Sequence, residues 1–235
     1  MRIMFVGDSM TIGSAGDYTW RYRMWEHLNR TFGRRYAIVG PRSELYDPRA
    51  DAPVSQDYAD PGFPPAARRH LAGWGEGWLH MAPLIEEAVR AHRADTLLVS
   101  LGLIDLGFYT GAEDTVANAR RFLAGARAAN PRVRAVLLPV IPNVRAESDA
   151  LFAAEVERFN ELLAKAVADL DSPTSPLLLA SRPAGYRLHR DTYDGTHPGP
   201  SGEHLIAAAF ADAMYQAWDV GDRYTPADRT GRRPR

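Results

Sequence analysis

Two short segments near opposite ends of the chain carry residue types that can do chemistry together: Gly7-Asp8-Ser9 and Asp194-Gly195-Thr196-His197-Pro198. A serine hydroxyl is a weak nucleophile until a base takes its proton. An Asp three residues before a His can accept from its Nδ1–H, fixing the tautomer that leaves Nε2 free for that proton. The two segments therefore supply the parts of a nucleophile–base–orienter triad, with Ser9, His197 and Asp194 in those roles. Each has a plainer reading alone. Asp8-Ser9 could cap a turn or helix, and Asp194 to His197 could form a solvated Asx turn. Together they favour the chemical reading.

Positioning such residues requires elements that end where they sit. The apolar run over residues 3–6 predicts a buried strand with Ser9 just past its tip. Apolar runs predict four more strands, over 36–39, 96–101, 133–140 and 177–180. Between them, helical spacing of apolar residues predicts helices over 21–32, 79–92, 115–129, 146–170 and 201–218. Strands that read as continuous apolar runs between helices imply a parallel sheet covered on both faces. The expected fold is therefore α/β: a three-layer α/β/α, doubly wound domain with a five-stranded parallel sheet, spanning residues 1–222, followed by a polar tail over 223–235. In such folds the site lies beyond the carboxyl ends of the strands. Residues 42–77 form a long stretch rich in Pro, Asp and Gly, and a loop of that length inside a compact domain is usually functional or disordered.

Composition narrows the chemistry. The 235 residues include no cysteine, which excludes thiol catalysis, cysteine-ligated zinc and iron–sulfur clusters. A formal net charge of −1 gives no bias toward nucleic acid or an anionic membrane surface. No apolar run approaches the length of a membrane span. With no signal-like segment after Met1, a cytoplasmic location is expected if Met1 is the natural start. No glycine-rich phosphate loop follows the first strand. His70, His80, His189 and His204, with Asp191, show no metal-ligand spacing and read as surface or capping residues. No metal or cofactor is expected, and the expected partner is a small molecule. Trp20, Tyr22, Trp74, Trp78, Phe108 and Tyr109 lie on segments near the strand ends, where they could line a pocket or equally belong to the core.

The chain also resembles the SGNH hydrolases, the GDSL-type esterases and lipases, over almost its whole length. RIMFVGDSMTIG, RYRMWEHLNR, YAIVG, AGWGEGW, LLVSLGLIDLG, VLLPVIP, VERFNELL and TYDGTHPGPSGEHLIA carry the resemblance in order. Its flavour is that of carbohydrate esterases acting on acetyl xylan. The resemblance implies the flavodoxin-like SGNH fold, with Ser9 as nucleophile, His197 as base and Asp194 as orienter. It further implies the amides of Ser9 and Gly73 as oxyanion donors, with Gly75 as an alternative if the pattern is shifted by two residues. Asp8, Trp74, Ile104 and Asn143 are expected at the substrate.

One block departs from the family, which has Gly-X-Asn-Asp where this chain reads Gly102-Leu103-Ile104-Asp105. Ile104 cannot donate the hydrogen bond that the Asn supplies, a loss that typically costs ~10²–10³ in rate. Asn143 could substitute, or could be a plain turn residue, while Asp105 is expected to organise its loop. The activity implied is that of a serine esterase working through an acyl-enzyme on a small acyl group such as acetyl. The alternatives are an acyltransferase using the same serine and a non-catalytic binding protein on the same fold.

Overall fold

The computed structural model describes residues 1–33 and 35–225, so most of the polar tail expected over 223–235 lies outside the described residues. Strand β1 (Arg2–Gly7) is the spine of the sheet, and its Ile3, Met4, Phe5 and Val6 have no exposed surface. The short helix α1 (Ser9–Ile12) follows at once, and then α2 (Trp20–Thr31) and β2 (Ala37–Ile38). The long polar stretch is ordered. It holds an antiparallel hairpin of β3 (Leu45–Asp47) and β4 (Ala52–Ser55), a 3₁₀ turn (Pro65–Ala67) and β5 (Leu71–Ala72). Helices α3 (Trp78–Met81) and α4 (Ile85–His92) lead to β6 (Thr96–Ser100). A π-helical turn (Asp105–Tyr109), α5 (Ala112–Ala129) and β7 (Arg134–Leu137) come next. A 3₁₀ turn (Val144–Glu147), α6 (Ala150–Leu170), β8 (Leu177–Leu179), α7 (Leu188–Asp191) and α8 (Pro200–Trp218) complete the order.

The main sheet runs β2-β1-β6-β7-β8 with every pairing parallel, as the apolar runs imply. Helix α2 packs on α8, and α4, α5 and α6 pack in succession. Trp20 of α2 joins its layer to the sheet, meeting Phe5 edge-on at 5.2 Å and stacking on Phe210 at 4.7 Å. The five expected strands are present, and a sixth joins them. β5 pairs with the last residues of β1 (Val6 with Leu71, Gly7 with Ala72), on the same edge that β2 uses further back. A two-residue strand inside a polar stretch has no periodicity to reveal it.

The helix expected over 79–92 is broken in two. Pro83 lies between α3 and α4, and it lacks the N–H that a continuous helix would need. The strand expected over 133–140 ends at Leu137, ahead of Pro139.

Two buried groups anchor the long stretch against the sheet. Arg21, fully buried, donates to the carbonyls of Thr11, Ile12 and Arg68 at 2.8–3.0 Å. His70, also fully buried, bonds the Glu44 carbonyl through Nε2 at 2.9 Å and accepts from the Ala72 amide through Nδ1 at 3.1 Å. That pattern requires a neutral ring with its proton on Nε2. Burial first, and the nearby Arg21 second, hold its pKa well below the ordinary histidine value. Among the described residues no helix is long and apolar enough to cross a membrane.

Candidate active site

Ser9 stands at the carboxyl end of β1, where the backbone leaves the sheet and enters α1. No side chain is tolerated two residues before it: a Cβ on Gly7 would lie 1.9 Å from Thr11 Oγ1 and 2.8 Å from the Ser100 carbonyl. Asp8 caps α1, its Oδ1 accepting from the Met10 amide at 3.0 Å. Its carboxyl is 2% exposed, and burial, reinforced by the charge of Asp105, pushes its pKa up to about 7. The plain capping reading of Asp8 is therefore realised. Ser9 is 4% exposed, and among the described residues neither its hydroxyl nor its N–H makes a hydrogen bond.

His197 stands on a loop whose base is closed by an antiparallel bridge between Thr192 and Pro198. The loop is tied from below by Asp191. Its carboxylate binds Arg190, Ser201 Oγ (2.6 Å) and the Arg187 amide (2.7 Å), and its carbonyl accepts from Gly199 at 2.8 Å. Within the loop, Asp194 Oδ1 accepts from the amides of Thr196 (2.9 Å) and His197 (2.7 Å), while Oδ2 meets His197 Nδ1 at 2.7 Å. Partial burial works against the Asp194 charge. The bonds from the His197 ring and from the two amides outweigh it and hold the carboxyl below its ordinary value. A carboxylate on Nδ1 leaves Nε2 as the ring's free acceptor.

A cleft of about 380 Å³ joins the two ends, with Ser9 and His197 both in its wall. No hydrogen bond links them in this resting arrangement, as is common before substrate binds. Of the residues expected at the substrate, Trp74, Ile104 and Asn143 line the cleft. Leu103, Phe108 and Phe152 join Ile104 as apolar lining of the cleft. Asn143 caps the 3₁₀ turn, its Oδ1 accepting from the Arg145 amide at 3.2 Å. Its Nδ2 has no partner among the described residues. The next residue, Val144, donates to the Gly195 carbonyl at 2.8 Å, so this turn and the His197 loop lie against each other. Gly195 is required there, with φ +82° and only 2.7 Å from the place of its Cβ to Val144.

Several expectations need correction. Asp8 is a buried cap and is not among the residues lining the cleft. The amide of Gly73 is donated to the Gly7 carbonyl at 3.1 Å, continuing the β5–β1 ladder, and Gly73 does not line the cleft. It is glycine for a packing reason, since a Cβ would meet the Glu76 carboxylate and the Arg42 guanidinium of a tight ion pair. Gly75 lines the cleft instead. It has φ +71°, open space at its Cβ, and an N–H without a hydrogen bond among the described residues.

Trp20, Tyr22 and Trp78 belong to the core, whereas Phe108 and Tyr109 stand at the cleft with Trp74. His70 and His204 are buried, not surface residues. His80 caps α3 through its Nδ1, and exposed His189 meets Glu147. Asp105 holds the start of α3 rather than its own loop, accepting from the amides of Trp78 (2.8 Å) and Leu79 (3.0 Å). Among the described residues no group of three or more His, Asp or Glu is arranged to hold a metal.

Tyr46 and Tyr193 carry no motif that marks them as site residues. Tyr46 stacks on Trp74, with ring centroids 4.0 Å apart. Trp74 and Tyr193 both lie nearly parallel to the His197 ring, at 4.6 and 5.7 Å. A second cavity, of about 360 Å³ between β8 and α8, is lined by neither Ser9, Asp194 nor His197.

Comparison with known proteins places the chain in a family. The GDSL-like lipase/acylhydrolase family profile matches residues 5–205. Among solved structures, a carbohydrate esterase family 3 protein from Talaromyces cellulolyticus is 25% identical, with a TM-score of 0.75 over 92% of this chain and 97% of that one. A mutant acetyl esterase with acetate ion is 24% identical, with the same TM-score and coverage. A family 3 carbohydrate esterase from Clostridium thermocellum is 17% identical, with a TM-score of 0.70 over 92% of this chain and 96% of that one. A search among curated proteins found no significant relative. The α/β fold with a mostly parallel central sheet is that of these neighbours, and the chain belongs to the GDSL-like lipase/acylhydrolase family of serine ester hydrolases.

Proposed function

We propose that the chain hydrolyses the ester of a small acyl group carried on a metabolite or glycoside, through Ser9, His197 and Asp194. The observation that carries this reading is the 2.7 Å Asp194–His197 pair, with the imidazole in the wall of the cleft that Ser9 also lines. Ser9 Oγ attacks the acyl carbon while His197 Nε2 takes its proton, and Asp194 stabilises the imidazolium that forms. The tetrahedral intermediate collapses as the alcohol leaves with that proton. Water, deprotonated in turn by His197, then releases the acid from the acyl-serine. The developing oxyanion rests on the amides of Ser9 and Gly75 and on Asn143 Nδ2, which takes over the part that Ile104 cannot play. The free N–H groups at these three positions support that assignment. Acetyl is the favoured acyl group, because the similar solved proteins include an acetyl esterase and family 3 carbohydrate esterases.

A second reading, transfer of the acyl group to an alcohol or amine, draws on the apolar lining that Ile104 shares with Leu103, Phe108 and Phe152, since a drier site disfavours attack by water. Product analysis with an added acceptor separates the two. The non-catalytic alternative is disfavoured because the Asp194-bonded imidazole lines the same cleft as Ser9. The test is labelling with a fluorophosphonate together with turnover of nitrophenyl acetate. Wild-type protein should label and turn over, Ser9→Ala should do neither, and Asn143→Ala should lose ~10²–10³ in kcat. Unlabelled wild-type protein would end the proposal.

A further inference from the structure

We infer that Trp74, backed by Tyr46 and assisted by Tyr193, is a positioning residue that fixes the plane of the His197 imidazole. This rests on the assignment of His197 as the base.

The Asp194 bond restrains the ring at Nδ1 only. A single hydrogen bond at one edge leaves the ring able to tilt about that contact, which would swing Nε2 away from Ser9. The hydrogen bonds of the loop that carries the ring fix its backbone and not the plane of the imidazole. The Asp194 side chain is itself 43% exposed. Flat contact against other rings restrains the tilt. The Trp74 ring lies 4.6 Å from the imidazole at an interplanar angle of 16°, and Tyr193 lies at 5.7 Å and 17°. Tyr46 continues the row beyond Trp74 at 4.0 Å and 10°.

Trp74 is itself held by the segment that holds Ser9. It lies two residues past β5, which is laddered onto Val6 and Gly7. Tyr46 is held in the same way, because its amide donates to the Gly13 carbonyl (3.0 Å) and its carbonyl accepts from Ala15 (2.8 Å), just past α1. Its hydroxyl is bonded to Asp51 across the hairpin. The row of rings thus transmits the position of the β1 end to the face of the imidazole. The electron-rich faces of these rings also favour the imidazolium that forms as Ser9 is deprotonated. The long polar stretch after β2 acquires a purpose, since its hairpin and β5 deliver Tyr46 and Trp74.

The experiment compares nitrophenyl acetate kinetics for wild type, Trp74→Leu, Trp74→Phe and Tyr193→Leu, each also in a His197→Ala background. Trp74→Leu should lower kcat about tenfold or more with KM changed less than twofold, a loss the size of a desolvated ring–cation contact. Trp74→Phe, which keeps a flat ring, should recover most of it. In the His197→Ala background, where only residual turnover remains, Trp74→Leu should have no further effect. A loss of the same size in both backgrounds, or a raised KM with kcat intact, would make Trp74 a wall of the substrate site and overturn the inference. If Trp74→Leu does not fold, Tyr193→Leu, at a residue 53% exposed, gives the same comparison with a smaller expected loss. Ser9→Ala separates the two levels of argument: its retaining turnover would overturn both, whereas a silent Ser9→Ala beside an unaffected Trp74→Leu would overturn this inference alone.

Discussion

Ser9 and His197 reach the same cleft from very different supports. Ser9 is carried on β1, which is laddered on both edges, to β6 over five residues and to β2 and β5 in series on the other side. His197 is carried on a surface loop held by its own Asp194, by the Thr192–Pro198 bridge and by contacts with the turn at Asn143 and Val144. At the serine end, catalytic geometry and fold stability are therefore the same property. At the histidine end they are separate, and substitutions there should disturb chemistry while sparing the fold.

The largest effect should come from attacking the serine end. Gly7→Ala forces a Cβ to within 1.9 Å of Thr11 Oγ1 and 2.8 Å of a β6 carbonyl. Overpacking of that kind should cost ~3 kcal/mol or more, roughly 6–12 °C in Tm, and abolish labelling of Ser9. A thermal melt checks it, and a variant as stable as wild type would break the contrast. Asp194→Asn, at the histidine end, should lower kcat by about 10⁴ through the wrong imidazole tautomer. Its Tm should stay within ~2 °C of wild type, because the carboxylate is largely exposed. A large fall in stability there would show that both ends are built alike.

The smallest effect concerns pH and again belongs to the serine end. Burial raises the Asp8 pKa from 3.8 to about 7. Between those values the folded protein keeps a proton that the unfolded chain has released, so this group's contribution to stability falls as pH rises through that window and is level above it. Asp8→Asn removes the dependence while keeping an acceptor for the Met10 amide. Denaturant melts at pH 5 and pH 8 should therefore find the variant gaining on wild type at the higher pH. The opposite trend would mean that Asp8 is ionised and well supported in the folded state.

The same contrast explains what could be read from the sequence. β1 and β6 are uninterrupted apolar runs because both faces of the sheet are covered, so their ends, and Ser9 with them, were legible. Asp194 and His197 were legible because their contact is local, three residues apart. Gly73 was misread because its neighbours within the AGWGEGW segment cannot reveal which amide is already committed to the ladder with Gly7. Pro83 was an available signal, overridden by the apolar spacing around it. Tyr46 and Tyr193 could not have been found, since they meet Trp74 and His197 only after a hairpin and a loop from distant parts of the chain are folded together. The burial of His70 was hidden likewise, its partners Glu44 and Ala72 being backbone groups with no side-chain signature.

The contact between Val144 and Gly195 has a mechanical consequence. One hydrogen bond and one close approach fasten the two surface segments together, so a displacement of Asn143 should carry His197 with it. Amide exchange at Val144 would then report the loosening of this contact, with an occupant bridging Asn143 and His197 slowing that exchange.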